Sequence, residues 1–149
     1  VEKIRESIKS GTAIQKLKEF IENQGGNKDV VDDYSLFKKS KYKYPVKSTK
    51  SGYISKIKAE DVGVSAMILG AGRETKDDIL DLSAGIILEK KVGDYVNEGE
   101  VLAYMYYNDE QKLSLAKGRF IDSYSIVDSK IEKNKLIYGI VTKEEIKKF

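Results

Sequence analysis

The sequence predicts an α+β fold in which a short N-terminal helical hairpin precedes an antiparallel, β-rich α/β module. Apolar residues recur every three or four positions up to about Gln24, which is the spacing of helices with one buried face. After Pro45 they alternate with polar residues or form short runs between glycine-containing turns, which is typical of strands. The 149 residues are enough for one domain with an appendage.

The N-terminal hairpin is predicted at residues 1–26. Residues 1–10 form the last turns of one helix, and a second helix runs to about Gln24, with Ser10 or Thr12 as its capping residue. The second helix is predicted to end at Gly25-Gly26 because glycine adopts the left-handed conformation found at helix C-termini. Its apolar stripe comprises Ile14, Leu17, Phe20 and Ile21. A chain that opens inside a helix without an initiator methionine is expected to continue from a missing upstream domain.

The remainder is predicted as a polar linker at residues 27–45 and an α/β domain at residues 46–149. Within that domain the order of elements is β-β-α-β-β-α-β, and a further strand and a charged tail follow. The predicted strands are 46–50, 53–58, 85–88, 101–107, 125–127 and 136–141, and the predicted helices are 59–69 and 109–124.

Composition excludes several kinds of chemistry. The chain has no histidine and no cysteine, so it can form no Ser-His-Asp triad, zinc finger or disulfide. Its net charge of +3 is too small to indicate a polyanionic partner by itself. No apolar run approaches the ~18 residues of a membrane span. These features predict a cytoplasmic protein with no membrane or nucleic-acid partner, and with no cofactor or metal of its own.

Lysines and tyrosines alternate in a basic stretch at residues 38–58. Lysines that neutralise phosphates beside aromatic rings that stack on bases are the ingredients of single-strand nucleic-acid binding. The favoured interpretation is an edge strand at Lys41-Tyr42-Lys43-Tyr44, where lysines discourage aggregation. The lysines of the stretch are Lys38, Lys39, Lys41, Lys43, Lys47, Lys50, Lys56 and Lys58.

The segment Gly70-Ala71-Gly72-Arg73 is the candidate functional loop. Glycines that expose backbone N–H groups and an arginine fork could bind phosphate, but a tight turn with a structural arginine is favoured. Asp77, Asp78 and Asp81 follow; they could hold Mg²⁺ through water, and they are also the nearest partners for Arg73. The favoured interpretation of these carboxylates is a solvated turn.

The string from Lys91 to Leu102 has the pattern GD-x-V-x-x-G-x-x-L. Its glycines turn the chain and its valine and leucine face a core, as in the hairpins of barrel-sandwich (lipoyl-like) domains. The alternative function is therefore a lipoyl- or biotinyl-type carrier or binding module. The signal for a carrier is weak, because Lys112 falls in a helical pattern instead of a short hairpin.

Several strings together resemble the C-terminal part of the pyrimidine-nucleoside and thymidine phosphorylases, in the order of that family and across nearly the whole chain. They are Ser10-Gly11, Phe20, Gln24-Gly25-Gly26-Asn27, Ser51-Gly52-Tyr53-Ile54, Leu69-Gly70-Ala71-Gly72-Arg73, Lys76-Asp77-Asp78, Asp81, Gly85-Ile86, Lys91-Val92-Gly93-Asp94-Tyr95-Val96 and Gly99.

The resemblance implies a parent enzyme, a homodimer that cleaves pyrimidine nucleosides with inorganic phosphate to give the free base and the (deoxy)ribose 1-phosphate. It also implies that the phosphate site, the base contacts, a monovalent-cation site and the helical dimerisation domain all lie upstream. No catalytic residue is transferred to this chain. The resemblance predicts a C-terminal domain without activity of its own, whose partner is the rest of the parent chain.

This module is expected to complete and stiffen the larger domain of the parent enzyme. Phosphorolysis needs two substrates oriented in a water-poor cleft, and that cleft is expected to close by a rigid-body movement. Gly70, Gly72 and Arg73 are the residues singled out, either for a structural turn or for contact with the rest of that domain.

Overall fold

In the computed structural model, which describes residues 1–133 and 135–149, the chain divides into two units, Val1–Lys39 and Ser40–Phe149. The N-terminal unit contains helix α1 (Glu2–Lys9), helix α2 (Thr12–Asn23) and two short 3-10 helices, Lys28–Val31 and Tyr34–Leu36. Both α-helices lie where the apolar spacing predicts them.

The start of α2 differs from the prediction. Its N-cap residue is Gly11, with a φ of 77°, and no side chain caps the helix. The expected caps bond elsewhere: the hydroxyls of Ser10 and Thr12 lie 3.1 Å apart, and Thr12 Oγ1 also donates to the Ser7 carbonyl. A left-handed glycine between the helices turns these hydroxyls away from the free N–H groups of α2.

The segment predicted as a polar linker contains the two 3-10 helices. Each begins with a side chain that accepts a hydrogen bond from the N–H two residues further on. The Asp29 N–H donates to Asn27 Oδ1 at 2.9 Å, and the Ser35 N–H donates to Asp33 Oδ1 at 2.8 Å. Local capping by Asn and Asp therefore gives short helical turns to a stretch without apolar periodicity.

The C-terminal unit contains antiparallel sheets and two α-helices. Its strands are β1 (Tyr42–Lys47), β2 (Gly52–Ile57), β3 (Gly85–Leu88), β4 (Tyr95–Val96), β5 (Val101–Tyr107), β6 (Tyr124–Val127), β7 (Gly139–Val141) and β8 (Ile146–Lys148). Helix α3 (Ala59–Ala66) continues into a π-helical segment, Met67–Ala71, and helix α4 is Glu110–Asp122. The α+β class is confirmed.

The strands form two three-stranded sheets and one hairpin. The first sheet has the order β1-β5-β3, the second has the order β4-β2-β6, and β7 pairs with β8. Every pairing among the described residues is antiparallel. The predicted limits of β3 and β5 are confirmed residue for residue.

Two strand predictions change at the edges of the module. The edge strand expected at Lys41-Tyr42-Lys43-Tyr44 and the strand expected at residues 46–50 form one strand, β1 (Tyr42–Lys47), which runs through Pro45. Pro45 is tolerated because β1 is an edge strand, where one side of the backbone has no ladder partner. The charged tail predicted after Val141 instead contains β8, whose three residues pair with β7.

The core of the C-terminal unit consists of two clusters. The larger one lies between the first sheet and α4, and it contains alternate residues of β5 together with one face of the helix. The smaller one contains Ile54, Val96 and Leu102. The buried residues of the larger cluster are Val46, Leu69, Ala103, Met105, Tyr107, Leu113, Ala116 and Phe120.

Tyr124 packs against both clusters and so connects them. Its ring centroid lies 5.3 Å from that of Phe120, and its hydroxyl donates to the Lys90 carbonyl at 3.2 Å. Burial raises the pKa of Tyr124 to about 12.

No helix in the described part of the chain is long and apolar enough to cross a membrane.

Tyr124 makes stability sensitive to alkali. Between the ordinary pKa of 10.0 and the folded value of about 12, the phenol ionises in the unfolded chain while it stays protonated in the fold. Stability is therefore expected to fall as the pH rises through this window. In denaturant melts at pH 8 and above pH 10, Tyr124→Phe should show a smaller alkaline loss than the wild type. It should cost about 0.5–1.5 kcal/mol at neutral pH, the contribution of one hydrogen bond.

The control is Tyr138→Phe, because Tyr138 is exposed. It should keep the alkaline loss of the wild type. If Tyr124→Phe and the wild type lost the same stability at alkaline pH, the alkaline loss could not be attributed to Tyr124.

Candidate functional site

Gly70 lies in the π-helical segment that follows α3. Its φ of 115° is in the region that favours glycine, and a Cβ added there would lie 3.2 Å from the Asp81 Cβ. The Gly70 carbonyl accepts a hydrogen bond from the Asp81 N–H at 2.9 Å. The loop therefore reverses at Gly70 and is held against the chain eleven residues further on.

Gly72 allows a second close approach. A Cβ at this position would lie 2.9 Å from both Cβ and Cγ of Met67, which is closer than real Cβ atoms come. The two glycines of the loop thus serve packing, which is the role given to them in the tight-turn interpretation.

Asp81 and Asn108 form a polar link beside this loop. The Asp81 carboxylate accepts hydrogen bonds from the N–H and hydroxyl of Ser83 and from the Asn108 amide. Asn108 also donates to Ser83 Oγ at 2.9 Å, and its Oδ1 accepts from the Lys41 N–H at 2.7 Å. This side chain joins the segment before β1, the end of β5 and the turn before β3.

Sequence reasoning did not identify Asn108. Its only signal is its place between the last residue of β5 and Asp109, the N-cap residue of α4. An asparagine at such a junction can bond to backbone from several segments, but its partners lie 25 to 67 residues away along the chain. No local pattern reveals that arrangement.

The carboxylates expected near Arg73 bond to other groups. The Thr75 N–H, the Thr75 hydroxyl and the Glu74 N–H all donate to Asp78, and they hold its pKa below the ordinary value. Arg73 itself is exposed, and no hydrogen bond or ion pair of the described residues involves it. The predicted pairing of Arg73 with a neighbouring aspartate is therefore not formed.

A cavity of about 390 Å³ adjoins the glycine loop. Lys112 of α4 lines it, but Glu74 and Asp78 line it as well. Two carboxylates beside a single lysine do not favour a phosphate ion, since like charges repel. The tight-turn interpretation of this loop fits the cavity better than the phosphate-loop interpretation.

The aspartates were also considered as ligands of Mg²⁺. Within residues 1–133 and 135–149, no group of three or more Asp or Glu side chains is placed to hold a metal ion. Asp78 and Asp81 are engaged in the turn contacts above.

The tyrosines of the basic stretch are packed within the fold. Tyr42 lies against Tyr107 with ring centroids 5.3 Å apart, and Tyr53 makes an edge contact with Tyr95 at 5.0 Å. Lys43 places its ammonium 3.6 Å from the centroid of the Tyr104 ring. These contacts fit the edge-strand interpretation, because the rings pack against other side chains of the module, although Tyr42 remains 48% exposed.

The turns predicted around β4 are present, but among the described residues β4 pairs with β2 and does not form a hairpin with β3 or β5. Gly93 has a φ of 87°, and its N–H donates to the Ile54 carbonyl at 2.8 Å. Asp94 binds the Lys133 ammonium and the Lys91 N–H, and both lower its pKa. Glycine and carboxylate here close a turn, and neither is placed as an acid or base.

The carrier alternative requires a lysine at the tip of a hairpin. Lys112 lies instead in α4, close to its first turn, where the Asp109 carboxylate accepts from the Lys112 N–H. A helical lysine beside a packed glycine loop lacks the exposed turn that a modifying enzyme would recognise.

Comparisons with known proteins agree on one family. The family model of the pyrimidine nucleoside phosphorylase C-terminal domain matches residues 53–127. The pyrimidine-nucleoside phosphorylase of Bacillus subtilis (strain 168) is 41% identical over 140 residues, which is 94% of this chain and 32% of that relative. Those of Staphylococcus epidermidis (strain RP62A) and Staphylococcus aureus (strain USA300) are 39% and 40% identical over 137 residues, 92% of this chain and 31% of each relative.

The fold and the glycine loop thus define an α+β domain made of antiparallel sheets and tight, carboxylate-capped turns. The chain belongs to the pyrimidine nucleoside phosphorylase C-terminal domain family. It spans about a third of the length of the curated relatives that it matches.

The conformation of Gly70 predicts the effect of a methyl group. Gly70→Ala should destabilise the chain by about 1–3 kcal/mol, the cost of holding a non-glycine residue in a sparsely populated backbone region. Gly118→Ala is the matched control: Gly118 lies inside α4 with nothing within 4 Å of the added Cβ. It should stabilise by about 0.5–1 kcal/mol. Denaturant melts measure both, and a neutral Gly70→Ala would mean that the loop does not need its positive φ.

Arg73 should be dispensable for the stability of this chain. Arg73→Ala is expected to change the free energy of unfolding by no more than about 0.5 kcal/mol, since the substitution removes no contact. Arg119→Ala is the comparison, because the Arg119 guanidinium lies 2.9 Å from the Asp61 carboxylate. It should cost up to about 1 kcal/mol, the range of a partly exposed ion pair. A lower denaturation midpoint for Arg73→Ala than for Arg119→Ala would restore a structural role for Arg73.

Proposed function

We propose that this chain is the C-terminal module of a pyrimidine-nucleoside phosphorylase. The observation that supports this proposal is the match to pyrimidine-nucleoside phosphorylases, which covers 92–94% of this chain but only 31–32% of the length of those relatives. The parent reaction would convert a pyrimidine nucleoside and inorganic phosphate into the free base and the sugar 1-phosphate. The module would complete and stiffen the larger domain of the enzyme.

The titratable groups of the module support a structural role. Burial or hydrogen bonding displaces several pKa values, but each displacement moves away from neutral pH. Asp78, Asp94 and Glu100 are lowered, whereas Tyr107 and Tyr124 are raised. A general acid or base works best with a pKa near the operating pH. The displaced groups therefore serve turns and packing, which supports a module that would be inactive alone.

The parent enzyme would supply the chemistry from outside this chain. Its phosphate and base contacts, and a bound monovalent cation, would lie upstream, together with a helical domain through which two subunits pair. The rest of the parent chain is then the partner of the module, with no nucleic acid or membrane involved. A cytoplasmic location follows from nucleoside salvage as the proposed role.

The finer architecture that fits this role is a barrel-sandwich element preceded by a helical hairpin. Strand β5 contributes Ala103 and Met105 to the larger core cluster and Leu102 to the smaller one. A strand shared between two cores supports a pair of three-stranded sheets that enclose one interior. Such a rigid element would let the larger domain move as one body when the cleft closes.

Arg73 is the residue of the glycine loop that we assign to contact with the rest of the enzyme. The support is its exposure beside two glycines that fix the backbone. A guanidinium offers five donors in a planar fork, which suits a carboxylate or a set of carbonyls on a neighbouring surface.

The test is a chimera that joins the uncovered part of the Bacillus subtilis relative in front of this chain. The chimera should release uracil or thymine from a nucleoside in a phosphate-dependent reaction. This chain alone and the uncovered part alone should each give no release above a buffer control. Arg73→Ala in the chimera should reduce turnover, whereas Gln111→Ala on the exposed surface of α4 should not.

Two results would contradict the proposal. Release of base by this chain alone would place substrate-binding groups within it. An inactive chimera, tested beside the active intact relative, would show that this module cannot serve as the missing part of that enzyme.

A further inference from the structure

The N-terminal unit, Val1–Lys39, has helices but no buried residue. Its apolar side chains nevertheless recur at helical spacing along one stripe, and they are 45–67% exposed. The exposed residues of this apolar stripe are Ile4, Ile8, Ile14, Leu17 and Phe20. Apart from the less exposed Ile21 and the small Ala13, the other residues of both helices are charged or polar, so the exposed apolar side chains lie on one face of each helix.

The unit lacks the means to be stable by itself. Helices α1 and α2 have 8 and 12 residues, at or below the ~12–15 residues at which isolated helices become marginal. Units below ~40 residues usually need disulfides, a metal or a partner. This chain has no cysteine, and the residues described contain no metal-binding group.

Polar contacts within the unit are too weak to make up for its lack of a buried core. Lys18 pairs with Asp32 at 2.5 Å and Lys28 with Glu22 at 2.7 Å, and all four side chains except that of Lys18 are largely exposed. Exposed ion pairs contribute about 0–1 kcal/mol each. Full burial of one large apolar side chain contributes about 1.5–3 kcal/mol, so covering the stripe would outweigh these pairs.

We propose that the apolar stripe docks on the part of the phosphorylase chain that lies outside these 149 residues, and that Val1–Lys39 folds stably only when docked. The inference rests on the proposed function. The match to the Bacillus subtilis relative covers 140 of the 149 residues, so at most nine lie outside it. Most of the N-terminal unit is therefore shared with a protein in which roughly two thirds of the length is additional chain.

The consequence is a module with two kinds of stability. Ser40–Phe149 contains both core clusters and holds its fold without a partner. Val1–Lys39 is a docking segment that folds when it binds the rest of the enzyme. This segment, and not the sheets, then determines whether the module stays attached to the remainder of the enzyme.

Hydrogen exchange measured by mass spectrometry tests the inference, with this chain alone and within the chimera described above. In the isolated chain, amides of Val1–Lys39 should exchange almost as fast as those of an unfolded chain, while β5 stays protected. In the chimera, Val1–Lys39 should become protected. Phe20→Asp in the chimera should abolish that protection and leave Ser40–Phe149 protected.

Gln15→Asp is the matched control, because it introduces the same charge on the opposite face of α2. It should leave the protection of Val1–Lys39 intact. Leu17→Ala is a milder change within the stripe and should remove part of the protection of Val1–Lys39. It keeps the inference testable if the Phe20→Asp chimera fails to fold.

Three outcomes would overturn the inference. One is protection of Val1–Lys39 in the isolated monomer, and another is protection that rises with protein concentration, which would make a second copy the occupant. The third is an active chimera whose Val1–Lys39 stays unprotected; in that case the docking claim fails while the proposed function stands. An inactive chimera would instead count against the proposed function.

Discussion

The C-terminal unit depends on the burial of strand β5. This strand lies between β1 and β3, and its alternate residues Ala103, Met105 and Tyr107 point into the larger core against α4. Leu102, on the other side of the pleat, enters the smaller core with Ile54 and Val96. Because one strand serves both cores, the two sheets cannot be disturbed independently. The period-two alternation of β5 thus sets the position of most other elements.

Hydrogen bonds from the end of β5 hold the glycine loop in position. Asn108 at the end of β5 binds Asp81, and the Asp81 N–H in turn binds the Gly70 carbonyl. These two polar contacts therefore connect the end of β5 to the glycine loop that contains the exposed Arg73. This arrangement suits a surface that presents a cation at a fixed place.

The parts of the fold that depend on local pattern could be predicted from the sequence. Strands β3 and β5 and helices α2 and α4 follow their apolar periods, and Gly70 falls where the helical pattern breaks. The parts that depend on distant partners could not. Strand β8 has only three residues and exists through pairing with β7. The candidate site was found through its glycines, yet the role of Asn108 depends on partners 25 to 67 residues away, which sequence proximity does not reveal.

In the proposed function, this chain supplies structure and attachment, and substrates would bind elsewhere in the parent enzyme. Calorimetric titration of the isolated chain with inorganic phosphate and with uridine tests this claim directly. We expect only the heat of dilution for each ligand. No saturable binding should appear with a dissociation constant below about 1 mM, which corresponds to a binding free energy of −4.1 kcal/mol. Saturable binding of either ligand below that concentration would contradict it, since it would place a substrate site within these 149 residues.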